Sequence, residues 1–331
     1  MKKSFKIFFS MFLVVILIIP IAACSKEEVQ KVRIGEVTRS IFYAPEYVAI
    51  EKGFFEEEGL DVELTTTSGG DKTMTALLSN SIDVALVGSE TSIYVYAQEA
   101  NDPVINFAQL TQTDGTFLVS REKIDNFSWE MLKGSTFLGQ RKGGMPQMVG
   151  EFVLKQHGID PHNDLNLIQN IDFANISSAF ASGTGDFVQL FEPTASVFEQ
   201  EGRGHIVASF GTESGMVPYT TFMSKESYMT ENKETVEKFA RAIYKAQKWV
   251  AENSARDIAE AISPYFEDTD LALIETVVDR YKSQGSYATN PVLDEAEWEN
   301  LQNIMDEAGE LPKRVDHSVL VNTQIAEEVM K

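Results

Sequence analysis

Apolar and polar positions follow two rhythms along this chain, one of period two and one of period 3.6, and they trade places about every 10–15 residues. Val32-Arg33-Ile34-Gly35-Glu36-Val37 predicts a short strand, Pro45 to Phe55 a helix ending near Gly53, Asp61 to Leu64 a strand, and Asp71 to Ser79 a helix. The run Asp83 to Val87 predicts a buried strand, with a helix over 91–100 behind it. Two strand-like runs follow at 105–111 and 116–120. The alternation then resumes with a strand at 135–139, a helix at 145–157, a strand at 165–171 and a helix at 173–182. Further strands are predicted at 187–190 and 206–210. From Lys233 to about Ala308 the pattern changes to long helices, with Val236, Phe239, Ala240, Ile243 and Ala246 on one apolar face. Strands and helices in such alternation predict βαβ units around mostly parallel sheets, an α/β fold.

One stretch repeats. Ala76 to Leu86 can be laid on Ala179 to Gln189 at a constant offset of 103 residues, and Ala, Ser and Asp coincide. Both copies have a helix–turn–strand context, so two α/β lobes of like construction are expected. The first copy leads into Gly88-Ser89-Glu90 and the second into Glu192-Pro193. Ligands of open α/β sheets gather beyond the carboxyl ends of the strands, and two such edges facing each other would make a cleft.

The start of the chain reads differently. Lys2, Lys3 and Lys6 precede a wholly uncharged, mainly apolar run from Ile7 to Ala23, and Cys24 is followed at once by polar residues. A basic start and an apolar stretch are the parts of an export signal. A membrane anchor is the competing reading, because 17 residues lie at the lower limit for a span. Ile21-Ala22-Ala23-Cys24 resembles a bacterial lipobox, which implies cleavage before Cys24 and lipidation of its thiol. Residues 1–23 would be the signal and 24–31 a tether.

The 331 residues carry 50 acidic and 28 basic side chains, a formal charge of −22; loss of the three signal lysines leaves −25. No basic stripe suits a nucleic acid. A single cysteine excludes an internal disulfide, and the four histidines are too scattered for a compact zinc motif.

Tyr43-Ala44-Pro45-Glu46-Tyr47-Val48-Ala49-Ile50-Glu51-Lys52-Gly53-Phe54-Phe55-Glu56-Glu57-Glu58-Gly59-Leu60-Asp61-Val62-Glu63 strongly resembles the opening of one solute-binding family. Its members serve ABC importers of nitrate, sulfonates, taurine and thiamine-pyrimidine precursors. The resemblance continues in Gly69-Gly70, Asp83-Val84-Ala85, Glu192-Pro193 and Ala308-Gly309-Glu310-Leu311. It implies a two-lobed periplasmic-binding-protein-like fold of type II, with two crossovers and a ligand held between the lobes. The crossovers are expected near Thr111–Thr116 and Thr212–Pro218. Lobe one then comprises 32–112 with 218–331, and lobe two 113–217. The Gly- and Pro-bearing stretch 211–218 suits a hinge by its own chemistry.

The candidate ligand-binding residues stand where strands give way to helices. Ser40, Phe42 and Tyr43 follow the first strand, offering a hydrogen bond and a ring to stack on a flat ligand; Phe42 is equally explained as core. Ser68 and Gly69 precede a helix start, where free N–H groups can hold an anion or carbonyl. Gly88, Ser89 and Glu90 open another helix, which Ser89 or Glu90 can cap. Arg141, Gly143 and Gly144 lie between a strand and a helix, and with the helix dipole can clamp an oxyanion. Glu192, at a strand end in lobe two, favours amino or amidine-like groups. Tyr219, just past the second crossover, completes the set. The tally leans to a flat, nitrogen-bearing organic molecule, with a sulfonate, taurine or nitrate as the alternative.

The expected role is capture of that solute by lobe closure outside the cytoplasm and delivery to a membrane permease with its ATPase. A monomer tethered through Cys24, without cofactor or metal and without catalysis, is the expectation. Two further readings are a relative of cytosolic pyrimidine synthases and a sensory surface lipoprotein.

Overall fold

The computed structural model describes residues 29–331. The expected signal 1–23, the lipidation site Cys24 and the tether up to residue 28 lie outside the described residues. Among the described residues no helix is long and apolar enough to cross a membrane.

Ten strands divide between two five-stranded sheets. They are β1 (Gln30–Glu36), β2 (Leu60–Thr66), β3 (Val84–Gly88), β4 (Val104–Thr111), β5 (Thr116–Ser120), β6 (Thr136–Leu138), β7 (Asn166–Ile168), β8 (Phe187–Phe191), β9 (His205–Ser209) and β10 (Thr220–Lys225). The first sheet runs β2-β1-β3-β10-β4 and the second β7-β6-β8-β5-β9. In each, three parallel strands are followed by an antiparallel fourth: β10 against β3 and β4, β5 against β8 and β9. The two sheets thus share one plan, and the antiparallel strand of each arrives from the other lobe. The chain passes between them at 112–115 and again at 210–219. This is the two-lobed α/β architecture expected from the alternation.

The repeated stretch has a physical cause. Asp83 accepts the Arg33 N–H at 2.9 Å and returns its own N–H to the Arg33 carbonyl at 2.8 Å. Asp186 does the same with Thr136, at 2.7 and 2.8 Å. Each aspartate therefore locks the third parallel strand of its sheet beside the first. The turns before them also match, since Asn80 at φ +61° and Gly183 at φ +100° end the preceding helices in left-handed conformation.

Local chemistry adjusts the predicted elements. The helix expected over 45–55 stops at Glu51, because Gly53 takes φ +71°, and a short helix Phe54–Glu57 follows. The strand β10 has no counterpart in the sequence reading, since TTFMSK lacks the alternation of a half-buried strand: its first five residues are all buried. The helix Lys233–Glu252 buries its predicted face against the first sheet. Phe239 meets the rings of Phe55, Phe107 and Phe222 at 4.9, 5.7 and 5.0 Å. Burial of such a ring stabilises by about 1.5–3 kcal/mol.

Candidate functional site

A cavity of about 190 Å³ opens where the carboxyl ends of the parallel strands from the two sheets face each other. The first lobe contributes Val37 and Thr38 after β1, Tyr43, Gly69, Gly70 and Asp71, and Val87, Gly88, Glu90, Thr91 and Tyr94 at and after β3. The second lobe contributes residues 140–146, Phe173 and Phe191, and the second crossover adds Tyr219 beside Thr220 of β10. The wall is thus largely aromatic and backbone, with few charged groups.

Glu90 stands at its centre. The carboxyl folds back over Gly88, where a Cβ would come within 2.1 Å of Oε2, so glycine is required there. Oε1 accepts the Met145 N–H at 3.2 Å across the gap between lobes. That N–H opens the helix Met145–Gln156, so the protein's own carboxyl occupies the helix end expected to hold an anion. Oε2 has no partner. Burial pushes the Glu90 carboxyl up to about 8, against smaller downward pulls from its backbone hydrogen bonds. Below that pH it is a neutral acid.

The other charges at the cavity are paired. Arg141 Nη1 reaches Asp71 Oδ2 of the opposite lobe at 3.1 Å and Asp172 at 3.8 Å. Lys142 meets Glu310 at 3.2 Å. Gly143, at φ +90°, gives its N–H to Gln147 Oε1 at 2.9 Å. Asp114 in the first crossover is buried and pushed up to about 6, held down in part by Thr116 N–H at 2.6 Å. Tyr219 Oη lies near Asp114, yet neither it nor Asp114 Oδ2 forms a well-aligned hydrogen bond.

Of the residues expected from the sequence, Tyr43, Gly69, Gly88, Glu90, Arg141, Gly143, Gly144 and Tyr219 line this one cavity. Five do not. Phe42 lies beneath it, its ring 5.9 Å from Tyr43, 6.0 Å from Phe191, 5.6 Å from Tyr219 and 5.1 Å from Tyr281. A Cβ on Gly115 would meet that ring at 2.8 Å, which explains the glycine in the crossover. Ser40 Oγ donates to the Glu192 carbonyl at 2.7 Å and so joins the lobes rather than facing a ligand. Ser68 is exposed, at φ +63°. Ser89 makes no cap; its Oγ donates to the Pro218 carbonyl.

Glu192 is the largest correction. Its carboxylate is fully buried and bonded to Arg280, to Ser196 N–H at 2.9 Å and to Ser196 Oγ at 2.7 Å. Burial raises its pKa, and Arg280 and Ser196 pull it part of the way back. A group so enclosed has no oxygen left for an amino group on a ligand. Arg141 is corrected in the same sense, because Asp71 already takes its guanidinium.

The sequence reading missed Asp71, Tyr94, Gln140, Phe173 and Phe191. Tyr94 carried a signal, standing one helical turn after Glu90 on the same face. Gln140 and Phe191 each adjoin a residue that was chosen, whereas Phe173 had no signal at all.

A family model described as NMT1/THI5 like matches residues 41–256. YtlA of Bacillus subtilis (strain 168), provisionally named a binding protein, is 66% identical over 316 residues, 95% of each chain. The formylaminopyrimidine-binding protein of Halalkalibacterium halodurans is 27% identical over 214 residues, 62% of each chain. Among solved structures, the alkanesulfonate-binding protein SsuA from Xanthomonas axonopodis pv. citri, bound to MOPS, superposes with a TM-score of 0.71 at 18% identity, over 89% of this chain and 99% of that one.

Proposed function

The chain belongs to the NMT1/THI5-like family, and from that premise we propose that it is the extracytoplasmic solute-binding component of an ABC importer, capturing a flat, nitrogen-bearing organic molecule of the thiamine-pyrimidine-precursor kind. One observation carries the ligand class: the cavity between the sheets is walled by rings of Tyr43, Tyr94, Phe173, Phe191 and Tyr219 around a single unpaired carboxyl, Glu90. Aromatic faces suit a planar ring, and a carboxyl in low dielectric disfavours an anion beside it.

Lobe one comprises residues 32–112 with 218–331 and lobe two 113–217, with hinges at the two crossovers. The lobes close because a ligand makes both sets of contacts only in the closed state, and it shifts the equilibrium by that difference in affinity alone. Residues 1–23 export the chain, Cys24 carries the lipid that tethers it, and the closed form docks on a permease whose ATPase drives import. The chain itself does no chemistry.

A sulfonate or nitrate is the second reading, favoured by Arg141, Lys142 and a helix end at the cavity. Pairing of these groups with Asp71, Glu310 and Glu90 weighs against it. Thermal unfolding with a panel of aminopyrimidines, sulfonates and oxyanions tests the proposal. A true ligand at 100-fold over its Kd adds about 2.7 kcal/mol of stability. Scattering should show a smaller radius of gyration with that ligand; a panel without effect removes the transport reading.

A further inference from the structure

Three polar atoms on the cavity wall have no partner in the protein: Glu90 Oε2, Gln140 Oε1 and Tyr219 Oη. Their residues are 4%, 2% and 2% exposed. Buried polar groups are nearly always satisfied, so three on one wall point to a ligand that satisfies them. The chemistry of two is settled by what their other atoms do. Gln140 Nε2 donates to the Gln189 carbonyl at 2.6 Å, which orients the amide and leaves its oxygen, an acceptor, free. Glu90 Oε1 already accepts from Met145, so only Oε2 faces new partners.

Resting on the solute-binding reading, we propose that the two lobes read an acceptor–donor edge: Glu90, carrying a proton on Oε2, donates to a ring nitrogen, and Gln140 Oε1 accepts from the amino N–H beside it. The ligand class is an amino-substituted nitrogen heterocycle captured with a neutral ring. Glu90 belongs to the first lobe and Gln140 to the second, so a ligand bonded to both holds the lobes together. The complex keeps one proton between Oε2 and the ring nitrogen.

The groups facing Glu90 leave it protonated at neutral pH. They are the hydroxyls of Tyr43 from the turn after β1, Tyr94 on its own helix and Tyr219 from the second crossover, all held far above the ordinary tyrosine range. The cations of the same cavity, Arg141 and Lys142, are bonded to Asp71 and Glu310. With burial holding the Glu90 carboxyl near 8, free protein above that pH has lost the proton the complex needs. Affinity then falls about tenfold per pH unit.

Titration calorimetry of the full chain with 4-aminopyrimidine and with 4-pyrimidinone, from about pH 7 to about pH 9.5, tests this. The amino compound should bind at least about 30-fold tighter than the oxo compound, whose edge has the reverse polarity. Its affinity should decline above about pH 8, with one proton taken up on binding. Glu90→Ala should lose about 100-fold at neutral pH, and Glu90→Gln, which keeps a donor, should recover most of that loss and abolish the pH decline. Gln140→Leu should keep the decline but erase the preference for the amino compound. Equal binding of the two pyrimidines, affinity that rises with pH, or a Glu90→Gln as weak as Glu90→Ala overturns the inference. Binding of taurine or nitrate with neither pyrimidine also overturns it, yet leaves the importer reading standing. Binding of none of these probes defeats both.

Discussion

Glu90 and Glu192 occupy matching places in the two lobes. Each follows the third parallel strand of its sheet, β3 or β8, and each is buried at the boundary between lobes. Their fates differ because of what reaches them. Arg280, on the helix Leu271–Ser283, extends to Glu192 and completes it with Ser196. Nothing cationic reaches Glu90, whose one bond is to a backbone N–H. One carboxylate became part of the joint between lobes, and the other remained a chemically unfinished group in the cavity. Matching positions in a repeated fold thus divide structure from function according to long-range partners.

Predictions follow from that contrast, beginning with the largest effect. Glu192→Ala leaves Arg280 without its partner and should destabilise by about 3–5 kcal/mol in urea unfolding. Glu90→Ala at the same pH should lose far less, or gain. The reverse order would overturn the division of roles. Next is pH. Glu90 has a pKa raised above its unfolded value of 4.5 to about 8, so its contribution is fully present below about 4.5 and is lost as pH rises through about 8. Wild-type stability should therefore fall by on the order of 2 kcal/mol between these limits. Glu90→Gln should flatten part of that slope. Glu46, with both oxygens unpartnered, and Glu36 beside it are raised in the same direction, and Glu46→Gln should remove another part.

Tyr219→Phe deletes a buried hydroxyl that has no partner in the protein, and should be neutral or stabilising by up to about 1 kcal/mol while weakening ligand binding. A loss of stability would instead show that the hydroxyl is satisfied by Asp114. Smallest is Arg141→Ala. Its pair with Asp71 is about half exposed on each side, at 49% and 56%, so the cost should stay within about 0.2–1 kcal/mol and shrink with added salt. A larger, salt-resistant cost would make the bridge between lobes a latch in its own right.

The alternation of strands and helices, and the echo that placed Asp83 and Asp186 in equal roles, were legible because both depend on local pattern. So was the list of turns at the strand ends, from which eight cavity residues came. Phe173 and the role of Ser40 were not, since a phenylalanine and a serine in loops have no distinguishing neighbours in the chain. Strand β10 escaped notice for a related reason: its burial comes from sitting between β3 and β4.

What the chain determined by itself was the sequence of elements, their two-fold repetition and the acidic character of the loops between them. Only the tertiary structure decided which acid stays free. Arg280 lies 88 residues beyond Glu192, and Met145 lies 55 beyond Glu90. Periodicity and turn chemistry act over a few residues, whereas the desolvation and pairing that set a carboxyl's protonation depend on whatever packs around it.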